Sequence, residues 1–246
     1  MAEQSVSVYL VAAGQFHDID FARLEILKLL GEDERIRTTV ASDYSDVGAI
    51  ADADFLMTYT CNLVPTEEQQ VALREYIKSG GKWFALHGTN AILEFTDKGV
   101  NSPETAPILM QTLGTQFIAH PPIQPFTVKT ADEHHPLVQG VGEFETDDEL
   151  YLSRIHGDIK QLLFAEFCGE ATGFIESDWN NNEPRPVYYI NKVGSGEVLY
   201  LNLGHCRGHY DMKPVVDYYP VIERGSWEKP QYYELLRRGI KYCSGN

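Results

Sequence analysis

Basic side chains are scarce in this chain. Twenty Lys and Arg stand against 36 Asp and Glu, a formal net charge of −16 at neutral pH, and no basic run interrupts the acidic background. Such a field repels phosphate backbones and anionic lipid surfaces, which argues against nucleic acid or a membrane as a partner. No apolar stretch approaches the roughly 20 residues a spanning helix needs. The opening MAEQSVSVYLVAAG lacks a basic segment ahead of its apolar run and reads as a first buried strand rather than a secretion signal, so a cytosolic protein is the expectation. Four cysteines, Cys61, Cys168, Cys206 and Cys243, have no paired spacing, which excludes a disulfide framework and predicts free thiols. Internal repeats and low-complexity linkers are missing too, and a single domain over residues 1–246 is expected.

What is present is an ordinary globular composition, 43% hydrophobic and 23% charged, enough for a sizeable core. Val6 to Ala13 is a β-branched run, and Asp20 is placed to cap an amphipathic helix with Phe21, Leu24, Leu27 and Leu30 on one face. Arg37 to Ala41 and Asp54 to Thr58 read as short strands. Thr66 to Gln69 forms a capping box that opens a helix through Ile77, closed by Gly80-Gly81. Lys82 to Leu86 is the next strand, and Pro107 to Leu113 is helical. This alternation predicts an α/β fold with a mostly parallel central sheet. The second half is strand-rich: Thr115 to Ala119, Pro125 to Thr130, Glu149 to Ser153, Gln161 to Phe167, Pro186 to Ile190 and Glu197 to Leu203. A last helix runs from Pro230 to Tyr242. Gly194-Ser195-Gly196 precedes the strand EVLYLNL and not a helix, so it reads as a hairpin turn, and no nucleotide cofactor is expected.

Open parallel sheets bind ligands at the carboxyl ends of their strands. His17 follows the first strand in GQFHD, His87 ends KWFAL, His120 ends TQFIA and His205 ends VLYLNLG. Four imidazoles at strand ends permit proton transfer or metal ligation near neutral pH. Carboxylates join them in Asp147-Asp148-Glu149. In an extended strand Asp148 and Leu150 face one way while Asp147, Glu149 and Tyr151 face the other, so one acid face at most enters a pocket. The elbow Leu86-His87-Gly88 has no thiol, and no Gly-x-Ser-x-Gly element occurs, which leaves neither a cysteine nor a serine nucleophile at such a turn. His134 and His135 precede Pro136 in a segment that braces a loop as readily as it binds anything. His156 is expected at the surface. His205 and His209 have helical metal-clamp spacing, but Gly204 and Gly208 argue against a helix.

The succession GQFHD, SGGKWFALHG, TQFIAHPPIQPFTV, HHPLVQGVGEFETDDELY and PVYYINKVGSGEVLYLNLGH resembles the ThuA-like family. The resemblance implies a flavodoxin-like sheet related to class I glutamine amidotransferases, and an association with the breakdown of disaccharides and oxidised keto-sugars. It carries His17, Asp18, His87, His120, His135, Asp148, Glu149, Tyr151 and His205 over as the polar positions. Tyr189 departs from the usual Trp, Glu197 from the usual basic residue, and the loop Asp178 to Arg185 is particular to this chain. Together these readings nominate His17, His87, His120, Asp148, Glu149 and His205 as catalytic, with His87 and His205 transferring protons. Asp18, Tyr151, Trp179 and Tyr189 are nominated for contacting a small-molecule carbohydrate. A metal variant has His17, His120 or His205 holding a divalent ion such as zinc. Self-association stays open, as does a non-catalytic sugar-binding module built on the same pocket.

Overall fold

The computed structural model describes residues 4–245. The chain runs β1 (Val6–Gly14), α1 (Ile19–Leu30), β2 (Ile36–Ala41), α2 (Val47–Asp52), β3 (Phe55–Cys61), α3 (Glu67–Lys78) and β4 (Lys82–Leu86). After it come a small hairpin, β5 (Glu94–Thr96) and β6 (Gly99–Asn101), then α4 (Pro107–Leu113), β7 (Thr115–Ala119), β8 (Gln124–Thr130), β9 (Phe144–Asp148) and β10 (Leu152–Ile155). The remainder is β11 (Lys160–Ala165), β12 (Gly169–Glu170), β13 (Asp178–Trp179), β14 (Arg185–Val193), β15 (Gly196–Leu201) and α5 (Pro230–Cys243).

Nine strands join one sheet in the order β2-β1-β3-β4-β15-β14-β11-β8-β9. The pairings β1 with β2, β1 with β3, β3 with β4 and β4 with β15 are parallel, and those beyond β15 are antiparallel. Parallel neighbours need crossovers, and the helices that supply them cover both faces of the sheet. Side chains alternate accordingly. Val8, Leu10 and Ala12 of β1, Phe55, Met57 and Tyr59 of β3, and Phe84 and Leu86 of β4 pack with α1 and α5. Tyr9, Val11, Leu56, Trp83 and Ala85 point the other way, onto α2, α3 and α4. Burying each such aliphatic or aromatic group contributes roughly 1.5–3 kcal/mol, and no helix of the described residues is long and apolar enough to cross a membrane.

Most expected elements are found within a residue or two of their boundaries, the Thr66–Gln69 capping box included. Two readings are corrected, and some elements were not expected. The cap of α1 is Asp18, whose side chain accepts from the Phe21 amide at 3.1 Å, while Asp20 lies inside the first turn. The short helix α2 and the β5–β6 hairpin had no clear sequence signal. The strand expected over Glu149–Ser153 is broken: β9 stops at Asp148 and β10 begins at Leu152.

The packing of α5 on the sheet sets a test. A Cβ added at Gly239 would lie 2.3 Å from Phe84 Cε1 and 2.4 Å from its Cζ. Gly239→Ala gains about 1 kcal/mol of helix propensity, but overpacking a buried ring costs about 1–3 kcal/mol. Net destabilisation of up to about 2 kcal/mol in urea unfolding is expected; a variant stabilised by the full helix-propensity gain would contradict the close packing of α5 on β4.

Candidate functional site

At the carboxyl ends of β1, β4 and β15 the chain turns sharply, and each turn delivers a histidine. His87 is at the junction of β4 with a 3₁₀ turn and has φ +42°, the left-handed region disfavoured for a side-chain-bearing residue. Such strain persists where the surroundings over-determine it. Here the Tyr200 hydroxyl donates to the His87 carbonyl and accepts from the Asn90 amide at 2.9 Å. Gly88 must be glycine, because a Cβ there would meet Thr60 O at 2.6 Å and Cys61 Cβ at 2.8 Å. His17 follows β1 and Phe16, and His205 follows β15 through Leu203 and Gly204.

The three rings converge on Glu149. One potential ligand atom from each of His17, His87, His205 and Glu149 falls within 4.8 Å of the others, and all four residues are buried. His17 Nε2 and His87 Nε2 are 2.8 Å apart. Glu149 Oε2 is 3.7 Å from His17 Nε2 and 3.6 Å from His87 Nε2, while Oε1 is 3.1 Å from His205 Nδ1. Each ring is also held from behind. His87 Nδ1 is 3.0 Å from the Asn202 carbonyl, His17 Nδ1 is 3.3 Å from the Gln15 carbonyl, and His205 Nε2 is 2.8 Å from Glu223 Oε2. Carbonyl oxygens only accept, so Nδ1 carries the proton in His17 and His87, and their Nε2 lone pairs face inward.

The electrostatics follow from burial and from this geometry. Burial lowers the pKa of His17, against the raising effect of the Glu149 carboxylate. It lowers His87 further, helped by the neighbouring His17, so both rings are neutral near pH 7. Burial alone would raise the Glu149 carboxyl, but the His205, His120 and His17 rings around it hold it well below the usual carboxylate range. For His205 burial is outweighed by Glu149 and Glu223, and the pKa rises to about 9. The centre thus holds a buried ion pair between His205 and Glu149.

His120 stands apart. Its side chain is 23% exposed, against 5% or less for the other three imidazoles and Glu149. Nδ1 donates to the Pro121 carbonyl at 2.7 Å, and Nε2 is 3.6 Å from Glu149 Oε1. Of these five groups it is the most exposed. Phe174 and Phe117 flank that ring at centroid distances of 4.9 and 6.1 Å. Phe16, Phe117, Tyr151, Leu93 and Met212 continue the apolar wall. The Tyr151 hydroxyl reaches His87 Nε2 at 3.2 Å.

Other nominated residues are placed elsewhere or do other work. Because β9 ends at Asp148, strand alternation fails there and both acids turn inward, with Asp148 1% and Glu149 4% exposed. Asp148 nevertheless does not reach the imidazoles: it accepts the amides of Glu149, Gly204, His205 and Ser226 at 2.8, 2.9, 3.1 and 2.8 Å. Its part is to hold three chain segments together. Asp18 caps α1 and pairs with Arg224 at 3.1 Å. Tyr189 is fully buried in the sheet core, bonded to Thr115 and to the Leu113 carbonyl and stacked on Tyr200. Trp179 lies on the β13 edge beneath Arg185. His135 braces the loop before Val138, where it accepts from the Leu137 amide. His209 stacks on Tyr218, and its Nδ1 meets the Tyr219 carbonyl at 2.7 Å.

Arg207 and Glu223 are the residues that motif reading missed. Arg207 donates to Glu149 Oε1 at 3.2 Å, to Glu223 Oε2 at 2.9 Å and to the Phe16 carbonyl at 3.1 Å, so it ties the carrier of His17 to both carboxylates. The backbones of Arg207 and Glu223 also exchange two hydrogen bonds of 2.9 Å. Arg207, two residues beyond His205 in GHCRGH, was within reach of an alternation argument; Glu223, in an irregular loop, was not.

Asp148 gives a direct test. A buried carboxylate accepting four amides forms charge-assisted bonds worth about 1.5–3 kcal/mol each, not additive in full. Asp148→Ala is expected to cost about 3 kcal/mol or more in urea unfolding. A loss below about 1 kcal/mol would contradict the structural role.

The family model for ThuA, described as trehalose utilisation, matches residues 5–219. Among solved structures, a protein described as ThuA-like from Bacteroides uniformis is 17% identical with a TM-score of 0.68, over 99% of this chain and 93% of that one. A second from Parabacteroides merdae is 16% identical with a TM-score of 0.62, over 98% and 91%. A candidate GMP synthase component from Thermoplasma acidophilum shares the fold at 11% identity and a TM-score of 0.53, over 98% and 96%. No match is found among curated proteins. At these identities the structures establish a glutamine amidotransferase-like fold, in which the elbow here carries His87 and no thiol. With the family model spanning most of its length, the chain belongs to the ThuA family.

Proposed function

We propose that this protein is an enzyme acting on a carbohydrate, a disaccharide or keto-sugar derivative, by proton transfer at the centre formed by His17, His87, His205, Glu149 and His120. The observation that carries the reading is one partly exposed imidazole beside a buried cluster of three imidazoles and a carboxylate. The family's association with trehalose utilisation supports a sugar as the substrate.

In this reading a carbonyl or hydroxyl oxygen of the sugar enters past His120 and docks on the cluster, where the cationic His205 and Arg207 side chains stabilise the negative charge that develops on that oxygen. Proton transfer falls to His120 rather than to His87 and His205, which are fully buried. With Nδ1–H committed to the Pro121 carbonyl, the Nε2 lone pair of His120 is available to take a proton from the substrate and return it. Phe174, Phe117 and Phe16 offer apolar faces to the C–H side of a sugar ring. No thiol takes part. Burial pushes Cys206 up to about 12 and raises Cys61 still further, so both are protonated and inert at neutral pH.

His120→Gln keeps a hydrogen-bonding group and removes the titrating ring. Assayed on keto-disaccharides, kcat is expected to fall about 10²–10⁴-fold, with a smaller change in KM. Unchanged kcat would remove His120 from the chemistry. Saturable sugar binding by the wild type without turnover would identify a binding module instead.

A further inference from the structure

We propose that His17 Nε2, His87 Nε2, His205 Nδ1 and the Glu149 carboxylate form a binding site for one divalent first-row transition ion. The inference deepens the reading above and rests on it only for the use to which the ion is put. This donor set differs from the sequence-level one, which named His17, His120 or His205.

Three observations carry it. The first is the facing lone pairs. With both Nδ1 positions turned to carbonyl oxygens, His17 and His87 bring two unprotonated Nε2 atoms to 2.8 Å. Neutral rings in that arrangement repel unless a cation lies between them. The second is His205 Nδ1, a buried nitrogen that makes no well-formed hydrogen bond although Glu149 Oε1 is 3.1 Å away, aimed into the same space from a ring 1% exposed. The third is the backing of every ring by an acceptor: the Gln15 carbonyl, the Asn202 carbonyl and Glu223. Metal-binding imidazoles characteristically donate their far N–H in this way, which fixes ring orientation and raises basicity.

The distances suit the ion. At metal–nitrogen bonds of about 2.0–2.1 Å, adjacent ligands in a six-coordinate shell lie about 2.9 Å apart, close to the 2.8 Å between His17 and His87. Opposed ligands lie about 4.1 Å apart, so the widest separation, within 4.8 Å, closes only slightly on binding. Three imidazoles and one carboxylate favour zinc, iron, cobalt, nickel or manganese over calcium or magnesium, which take mainly oxygen. Charge is consistent as well. A divalent ion with one carboxylate leaves one net positive charge, since the Arg207 and Glu223 charges cancel, and that suits an oxygen becoming negative. Arg207 and Glu223 are then positioning residues, which hold Glu149 and His205.

The test uses full-length protein stripped with chelator. Zn²⁺ binding is measured by competition with a chromophoric chelator, and Co²⁺ binding by visible absorption. One ion per chain is expected. Glu149→Gln and His87→Gln, each checked for an unchanged circular dichroism spectrum, should weaken Zn²⁺ binding at least 100-fold and abolish the Co²⁺ bands. Glu223→Gln should weaken it about 10–100-fold while the bands persist in altered form, as expected of a group acting through His205. His120→Gln should bind Zn²⁺ like the wild type. Stoichiometric binding with no sugar turnover would support this inference and sink the functional reading. Zn²⁺ affinity unchanged in both ligand variants would overturn the inference and leave the functional reading standing.

Discussion

A carboxylate only 4% exposed, such as Glu149, persists in ionised form only if its surroundings replace the water it has lost. The architecture around it does so chiefly at one of its two oxygens. His17 and His87 approach one oxygen, and His205, His120 and Arg207 approach the other. Breaking such an arrangement by removing one partner leaves an uncompensated buried charge, whose cost is several kcal/mol. The three strand-end turns, the strained elbow at His87 and the glycine behind it can all be understood as ways of bringing these partners to one carboxylate.

The second layer is as consequential as the first. Glu223 fixes the tautomer of His205, and Arg207 pairs with Glu223 while reaching Glu149 and the carbonyl of Phe16. One salt bridge thus connects the turn after β1, the turn after β9 and the turn after β15. Asp148 does parallel work with backbone amides, fastening Gly204, His205 and Ser226 beside its own strand end. Two adjacent acids therefore have different tasks. Asp148 is a structural acceptor of amides, and Glu149 is the charge on which the imidazoles converge.

Much of this was legible in the sequence, for identifiable reasons. Parallel strands reveal themselves as apolar runs, and histidines directly behind such runs must fall on one edge of the sheet, which is how His17, His87 and His205 could be grouped from the chain alone. Alternation along Asp147 to Tyr151 misled, because it presumes a continuous strand and the chain leaves β9 at Asp148. Tyr189 and Trp179 were nominated for aromaticity alone, a property shared by core and binding surface; Tyr189 proved to be sheet core and Trp179 to belong to the β13 edge. Glu223 could not be found from local pattern, since its partners are 16 and 18 residues away across an irregular loop. Contacts of that kind depend on tertiary closure, on which periodicity is silent.

The account depends most on which ring nitrogens face the centre. Two-bond ¹H–¹⁵N correlation spectroscopy on histidine-labelled protein with one equivalent of Zn²⁺ reports this for each ring. The account predicts protons on Nδ1 of His17 and His87 and on Nε2 of His205, with zinc on the opposite nitrogen of each. A proton on Nε2 of His17 or His87, or rings that do not respond to zinc, would contradict it.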